Sequence, residues 1–250
     1  MAVSEQHRTA TNRRHEHVDV QLAGSHGKMN GMPTDLSPTP RSTIRKSEHA
    51  RRERSALYEV LDAGLLAHLG VVVDGAPLVL PTTFGRIDDT VYVHGSTGAL
   101  SLRAGTSAPV CLTVTLLDGL VYARSVFHHS ANYRSAVIHA EARLVTDPQE
   151  KLDALRAVVE QLTPGSWTHA RQPTAKELAA TTVLALDTTE ASVKVRTGPP
   201  VDDSADVQAG TAWAGVLPTR QQWLPAVPCE LLPPGSTVPA HVADRVASNC

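Results

Sequence analysis

Apolar residues recur at two different periods along this chain, and the change of period divides it into elements. The first 37 residues show no apolar period and are rich in Gly, Ser, His, Asn and Thr. Such a segment cannot bury enough apolar surface to offset the entropy lost on ordering. We therefore expect residues 1–37 to be a disordered tail, followed by an extended arm in which Pro40 disfavours a helix.

Helical spacing of apolar residues predicts two long helices. The first covers about His49–Gly64, with Gly64 as a C-cap. The second covers Pro148–Leu162 and is amphipathic. Thr174 followed three residues later by Glu177 fits a capping box, which predicts that a short helix begins there.

Between and after these helices, β-rich and alternating runs bounded by turn residues predict strands. The predicted strands are Leu66–Val73, Pro77–Thr83, Phe84–Ile87, Thr90–His94, Val110–Leu117, Leu120–Val126, Tyr133–Val145, Val183–Asp187 and Ala191–Arg196. A short helix is predicted over Ala99–Ala104. Asp74-Gly75 and Asp118-Gly119 indicate hairpin turns. Short connections of this kind favour an antiparallel barrel.

Composition narrows the classes of function. A hydrophobic content of 42% supplies a core, and an aromatic content of 4% makes that core aliphatic. The net charge of -2 argues against a dedicated nucleic-acid-binding protein. No apolar run approaches transmembrane length and no signal-peptide core is visible, so we expect a cytoplasmic protein that does not act in a membrane.

Cysteine and histidine spacing predicts no metal site. The three cysteines Cys111, Cys229 and Cys250 have no CxxC spacing, and Cys111 lies in an apolar run where we expect it to be buried. His128 and His129 are adjacent, and adjacent residues of a strand point to opposite faces, so their side chains would diverge. We therefore expect no bound metal ion.

Three segments combine hydroxyl groups, glycine or a cation in a pattern that suits an anionic cofactor. They are Pro81-Thr82-Thr83-Phe84, His94-Gly95-Ser96-Thr97-Gly98-Ala99-Leu100 and Asn132-Tyr133-Arg134-Ser135. Glycine lets a backbone approach a ligand closely, and the start of a helix offers free N–H groups to an anion. Taken alone, the first segment also fits an ordinary polar strand end.

Arg134 has two interpretations that spacing does not separate. Its planar guanidinium suits a phosphate group. A salt bridge to Asp118, Glu141 or another carboxylate fits equally well.

Several segments, in this order along the chain, resemble one known group of proteins. They are Val91–Leu100, Leu116–Ser135, Lys194–Asp203 and Trp213–Pro218. They resemble bacterial flavin-nucleotide-binding proteins of the pyridoxamine 5'-phosphate oxidase-like superfamily, which includes the nitroimidazole-resistance reductases. The resemblance covers residues 38–240. It implies a mostly β fold with flanking helices, a six-stranded antiparallel split β-barrel, and a homodimer with FMN at its interface.

The resemblance also implies domains and contacts. Residues 38–200 would form the FMN-binding barrel, and residues 201–250 an extension that covers the barrel or the dimer partner. The FMN contacts would fall at Pro81, Thr82, Thr83, Phe84, His94, Gly95, Ser96, Leu100, Tyr133, Arg134, Ser135 and Trp213. His94 would lie beside the active site and exchange a proton with the substrate, although a hydrogen bond to a backbone carbonyl would also account for a histidine there.

One departure concerns the cofactor phosphate. The pyridoxamine phosphate oxidases proper hold it with an Arg/Lys-rich strand and turn. The matching positions here, Leu78–Thr83 and Ser96–Leu100, carry no cation.

The sequence thus predicts an FMN-dependent oxidoreductase that acts on a small organic substrate. Hydride or electrons would pass through the flavin, and reduced nicotinamide is a candidate donor. Two alternatives remain: a non-catalytic flavin-binding or storage protein, and the same fold with deazaflavin or haem.

Overall fold

The computed structural model describes residues 34–106, 108–210 and 212–248. The strands in these ranges are Ala50–Arg51 (β1), Ala67–Val73 (β2), Ala76–Thr82 (β3), Phe84–Ile87 (β4), Thr90–Ser96 (β5), Pro109–Tyr122 (β6), Ser130–Glu141 (β7), Arg143–Leu144 (β8), Thr181–Asp187 (β9), Glu190–Arg196 (β10) and Gly215–Pro218 (β11). The α-helices are Arg54–Ala63 (α1), Leu100–Gly105 (α2), Pro148–Leu162 (α3), Ser166–His169 (α4), Ala175–Ala179 (α5), Ser204–Ala209 (α6) and Ala240–Ala247 (α7). None of these helices combines the length and the apolar character that a bilayer crossing requires.

The strands pair antiparallel in two sheets. The larger sheet has the order β1-β10-β7-β6-β2-β3, with β11 paired to β6. The smaller sheet has the order β4-β5-β9-β8. This mostly β architecture with flanking helices is the antiparallel split barrel that the sequence predicts.

The two sheets enclose an aliphatic core. The buried residues come from both sheets and from α1, and include Leu57, Leu61, Leu69, Phe84, Val91, Val93, Leu112, Val114, Ile138, Leu184, Leu186 and Val193. Alternation along each strand sends every second side chain into this core. The other side of the larger sheet, which we call the outer face, is therefore turned away from it.

A second cluster lies on the opposite side of the smaller sheet, beneath α3. It contains Tyr92, Val145, Ala154, Val158, Val183 and Ala185. Helix α3 approaches β4 so closely that a Cβ atom at Gly85 would lie 2.4 Å from the backbone of Ala157. Alternate residues of β5 therefore serve two different cores.

Local signals predicted several elements well. Helix α3 and strand β4 have their predicted bounds, and Gly64 is the C-cap of α1. The capping box of Thr174 and Glu177 is present at the start of α5. Helix α7 was not predicted, because its segment is embedded in a Pro-rich stretch.

The predicted hairpin turn at Asp118-Gly119 is wrong. Strand β6 runs through this dipeptide, and its register against β7 shifts between Leu117 and Gly119. An Asp-Gly pair here makes a β-bulge, which adds a residue without ending the strand. A Cβ atom at Gly119 would lie 2.9 Å from the carbonyl oxygen of Leu217, so the close approach of β11 also requires glycine.

Two other predictions need correction. The ordered chain begins before residue 37, because Leu36 is 5% exposed and its N–H donates to the carbonyl of Arg52. Asp35 also forms a β-bridge with Glu53. The remainder of the predicted tail, residues 1–33, lies outside the described residues. Cys111 is only partly buried, because it points to the outer face.

Candidate functional site

The outer face is built from alternate residues of five neighbouring strands. Strand register places on it Lys194 and Arg196 of β10, Tyr133, Ser135 and His139 of β7, Thr113, Thr115 and Leu117 of β6, His68 and Val72 of β2, and Val79 and Pro81 of β3. The face mixes hydroxyl groups with exposed apolar side chains. Val79, for example, is 62% exposed. A surface of this kind suits a flat, partly polar ligand or a second protein surface.

Arg134 turns away from its neighbours Tyr133 and Ser135. Its Nη2 donates to Oδ1 of Asp118 at 2.8 Å, and its Nε donates to Oδ2 at 3.0 Å. This hydrogen bonding raises the pKa of the Arg134 guanidinium above its ordinary value. Of the two interpretations that the sequence left open, the structure shows the salt bridge.

The predicted contact segment Pro81–Phe84 is divided between the core and the surface. Phe84 is completely buried in the barrel core, so its side chain is not available to a ligand at the surface. Pro81 lies on the outer face, opposite His68. Thr82 pairs with Ala67, and its hydroxyl donates to the carbonyl of Thr83 at 3.1 Å.

His94 lies on the smaller sheet and shares the side of β5 that carries Tyr92. Its register partner is Val183, a member of the cluster beneath α3. Its Nδ1 atom is buried and has no hydrogen-bond partner within the described chain. Burial also lowers the pKa of His94, which favours the neutral imidazole. Because Phe84 pairs with Val93, His94 lies next to the β3–β4 connection.

In the turn after His94, Gly95 packs closely against helix α2. A Cβ atom at Gly95 would lie 2.8 Å from the Leu102 side chain, which would have to shift to accommodate it. Ser96 and Leu100 are exposed. These residues belong to a different sheet from Tyr133 and Ser135.

Trp213 lies two residues before β11, beside the distal end of the β6–β7 hairpin. Its ring centroid is 5.9 Å from that of Tyr122, which also contacts the ring of His129. Trp213 is 70% exposed. It extends an apolar surface that continues along β11 to the exposed Leu217.

Sequence reasoning missed a basic cavity at the edge of the outer face. Its volume is about 230 Å³, and its basic lining residues are Arg45, Lys46, His49, Lys194 and Arg196. Tyr133 and Ser130 also line it. The only local signal was Lys194-Val-Arg196, whose alternation puts both cations on one face. The contribution of Arg45 and Lys46 depends on the pairing of β1 with β10.

One group of side chains could hold a metal ion. The ligand atoms of His128, Asp203 and Asp206 lie within 4.8 Å of one another. Nε2 of His128 is 3.4 Å from Oδ2 of the well-exposed Asp203. Sequence spacing did not show the group because its carboxylates are far from His128 along the chain. An exposed ion pair explains the arrangement as well as a metal does.

Known proteins are similar to this chain in both sequence and fold. The family model described as pyridoxamine 5'-phosphate oxidase matches residues 53–195. The structure of the flavocytochrome Anf3 from Azotobacter vinelandii is 41% identical, covers 84% of this chain and 98% of its own, and superposes with a TM-score of 0.79. The FAD and heme binding protein from Mycobacterium smegmatis is 36% identical, covers 79% and 97%, and has a TM-score of 0.75.

Among proteins of curated function, none shows significant similarity to the chain. The family match nevertheless covers more than half of the sequence, and it begins at α1 and ends in β10. The matched segment therefore contains both sheets of the barrel apart from β1 and β11. The chain belongs to the pyridoxamine 5'-phosphate oxidase family.

Proposed function

We propose that the protein is a flavin-dependent redox protein that transfers hydride or electrons to or from a small organic substrate. The observation that carries this proposal is the 41% identity with a flavocytochrome over 98% of that protein's length. A bound flavin would supply the redox chemistry, and the protein would supply position and electrostatics.

The outer face has the donor set that a flavin ring requires. Thr113, Thr115 and Ser135 line its middle strands with small hydroxyl side chains, which can hydrogen-bond the polar edge of the ring. Leu117 and Val79 are exposed on the same face and can pack against its apolar part. Of the predicted contacts, Pro81, Tyr133 and Ser135 would serve this ligand.

The same face supports the proposal of a homodimer. Val72, Val79, Leu117, Trp213 and Leu217 are all more than half exposed, and a grouping of exposed apolar side chains suits a protein–protein interface. A second copy would cover them and close the flavin from the solvent. His94 and the turn from Gly95 to Leu100 could then approach the flavin of the other copy, although they lie on another sheet of their own chain.

The resemblance of the sequence motifs implies FMN as the flavin, whereas one similar structure is described as binding FAD. Mass spectrometry of the ligand released from purified protein distinguishes FMN, FAD and deazaflavin. We expect a yellow protein, or one that binds an added flavin with a dissociation constant of about 1 µM or tighter, equal to roughly -8 kcal/mol. A colourless protein that gives no heat of binding with FMN or FAD would contradict the proposal.

Turnover separates an enzyme from a storage protein. An oxidoreductase should consume reduced nicotinamide, or reduce a nitro compound, at a rate that depends on bound flavin. A flavin-loaded protein that turns over neither class in a broad substrate screen would favour storage.

A second candidate function is electron transfer through a flavin and a haem together. It is favoured because one of the two similar structures is a flavocytochrome and the other is described as binding heme. His68 and His139 lie on the outer face, where either imidazole could serve as an axial ligand. A Soret band that is shifted and sharpened relative to free haem, and that returns to the free-haem spectrum in His68→Ala or His139→Ala but not in His169→Ala, would support this function. A spectrum identical to that of free haem at an equimolar ratio would exclude it.

A further inference from the structure

The basic cavity concentrates positive charge without any acidic lining residue. Arg45, Lys46, Lys194 and Arg196 carry four permanent charges around about 230 Å³, and no Asp or Glu of the described ranges lines the space. Glu48 lies in the same turn but is not part of the lining. Like charges at this density repel one another, so the cavity favours a bound anion.

The cations are held in place by the fold. On β10, Lys194 and Arg196 are two residues apart and therefore share a face. Arg196 Nη1 donates to Oδ1 of Asn132 at 2.6 Å, and the buried Asn132 donates in turn to the carbonyl of Gly198 at 3.1 Å. The Nζ atom of Lys194 lies 5.4 Å from the centre of the Tyr133 ring.

The remaining cations come from the arm before β1. Ala50 pairs with Lys194, so the preceding turn lies directly against β10. Further back, Arg41 Nε donates to Oε1 of Glu190 at 3.2 Å, which ties the arm to the other end of the same strand. The arm is therefore anchored on both sides of Arg45. None of the ion pairs within the described residues involves Arg45 or Lys194.

We propose that this cavity binds the phosphate or phosphoanhydride group of a nucleotide. Four cations far exceed the charge of a single carboxylate and are enough to neutralise the roughly two negative charges of a phosphomonoester or of a dinucleotide phosphoanhydride, and the planar fork of arginine fits phosphate oxygens. The hydroxyls of Tyr133 and Ser130 add donors. The cavity also supplies cations that the strand and turn at Leu78–Thr83 and Ser96–Leu100 lack.

Two nucleotides could bring such a group: the flavin itself, or a reduced nicotinamide that donates electrons. Which of these two nucleotides brings the phosphate depends on the proposed function. The affinity of the cavity for a phosphate group does not depend on it. Tyr133 connects the cavity to the outer face, so the flavin's own phosphate is the nearer source.

Binding of inorganic pyrophosphate tests the cavity, with Lys194→Gln and the double variant Lys194→Gln/Arg196→Gln as probes. Lys151→Gln on α3 removes one positive charge elsewhere and is the matched control. Calorimetry at low salt should show pyrophosphate binding to the purified protein, or displacement of bound flavin by pyrophosphate. Lys194→Gln should weaken either effect about tenfold and the double variant about a hundredfold, with Lys151→Gln unchanged. Melting temperatures identify any variant that fails to fold, and Lys194→Gln alone suffices because its Nζ donates no hydrogen bond to another described residue that the change would break.

The source of the phosphate follows from the dissociation constants of FMN or FAD, of riboflavin and of the reduced nicotinamide dinucleotide, measured on the same variants. If it is the flavin's, the affinity for FMN or FAD falls while that for riboflavin does not. If it is the nicotinamide's, flavin affinity is kept and affinity for the reduced dinucleotide falls. Pyrophosphate that neither binds nor displaces flavin would overturn the proposal, as would variants that leave every nucleotide affinity within about twofold. Pyrophosphate binding in a protein that binds no flavin would instead refute the proposed function and leave the cavity's phosphate affinity standing.

Discussion

At the scale of single residues, the described chain contains a buried imidazole nitrogen without a hydrogen-bond partner and an arginine that is paired with a carboxylate. Nδ1 of His94 is buried and makes no hydrogen bond within the described chain, which is costly unless a ligand or water satisfies it. Arg134 forms a two-point salt bridge with Asp118 instead of remaining free for a phosphate. The unpaired nitrogen of His94 and the salt bridge of Arg134 each lead to a testable prediction.

His94→Gln should flatten the dependence of stability on pH. Burial lowers the pKa of His94 in the folded protein, so the unfolded chain takes up the proton first as the pH falls. The free energy of unfolding of the native protein should therefore decline as the pH falls below about 6.5, the ordinary histidine value. Urea denaturation above and below that pH should show a smaller decline in His94→Gln, and the same decline in the control His68→Gln, whose side chain is exposed. Equal declines in all three proteins would contradict the prediction.

The same variant tests a catalytic role. If His94 exchanges a proton with the substrate, His94→Gln should keep its flavin but lose about 10²-fold in turnover. Turnover that is unchanged while flavin remains bound would leave His94 with a structural role.

Arg134→Ala should lower stability slightly and leave flavin affinity intact. The side chains of Arg134 and Asp118 are 40% and 30% exposed, so their ion pair should contribute at most about 1 kcal/mol. A double-mutant cycle with Asp118→Ala measures this coupling, and flavin titration of each variant measures affinity. A drop of about ten- to a hundredfold in flavin affinity would restore the phosphate-binding interpretation of Arg134.

At the scale of elements, close packing decides where helices can lie. Helix α3 contacts β4 at Gly85, where no side chain larger than hydrogen fits. The Gln161 amide at the other end of α3 donates to the carbonyls of Leu61 and Gly64, and so ties α3 to the end of α1. The second cluster therefore depends on one glycine and one amide.

Gly85→Ala should destabilise the protein by about 1–3 kcal/mol, because the new Cβ forces α3 away from the sheet. Gly98→Ala is the matched control, since its nearest neighbour would be Oγ of Ser96 at 4.0 Å. Thermal or urea unfolding of the two variants measures the difference. Equal stability would show that α3 can shift without cost.

At the scale of the whole molecule, the barrel uses its first described residues as part of the core. Leu36 packs into the core formed by both sheets, and Thr34 accepts a hydrogen bond from the Arg54 N–H. The arm, α1 and β10 thus pack together as one unit. This unit leaves the exposed apolar side chains of the outer face still to be covered.

Shortening the chain should show where that unit begins. A chain that starts at Thr34 should keep its melting temperature, because the residues before it carry no apolar period. A chain that starts at Leu36 should melt lower, since it lacks the β-bridge of Asp35 and the carbonyl of Thr34. Leu36→Ala in the full chain should cost about 2–5 kcal/mol. If the chain starting at Leu36 and the full chain melt together, these contacts contribute nothing.

The outer face should hold two copies together. Light scattering of the native protein should give twice the mass of one chain, whereas Val79→Lys/Leu117→Lys should give the mass of one chain and lose flavin. Val207→Lys, which places a charge on the exposed α6, is the control and should remain dimeric. A native protein of single-chain mass with flavin bound would contradict the proposed dimer.

The sequence by itself determined the elements whose signals are local. Helix α3, strand β4 and the capping box of α5 appear where period and cap chemistry placed them, because these depend on residues within one or two turns. The antiparallel barrel followed from alternation and short connections. Together with the quoted motifs, these signals were sufficient for the fold and the family.

Only the tertiary structure decided which side chains meet. Arg134 finds Asp118 because a bulge keeps β6 running past Gly119, where the dipeptide alone indicates a turn. The basic cavity joins Arg45 to Lys194 through a two-residue pairing that leaves no mark in the local pattern. Contacts between distant residues depend on register and on the free energy of the whole core, and a short window of sequence contains neither.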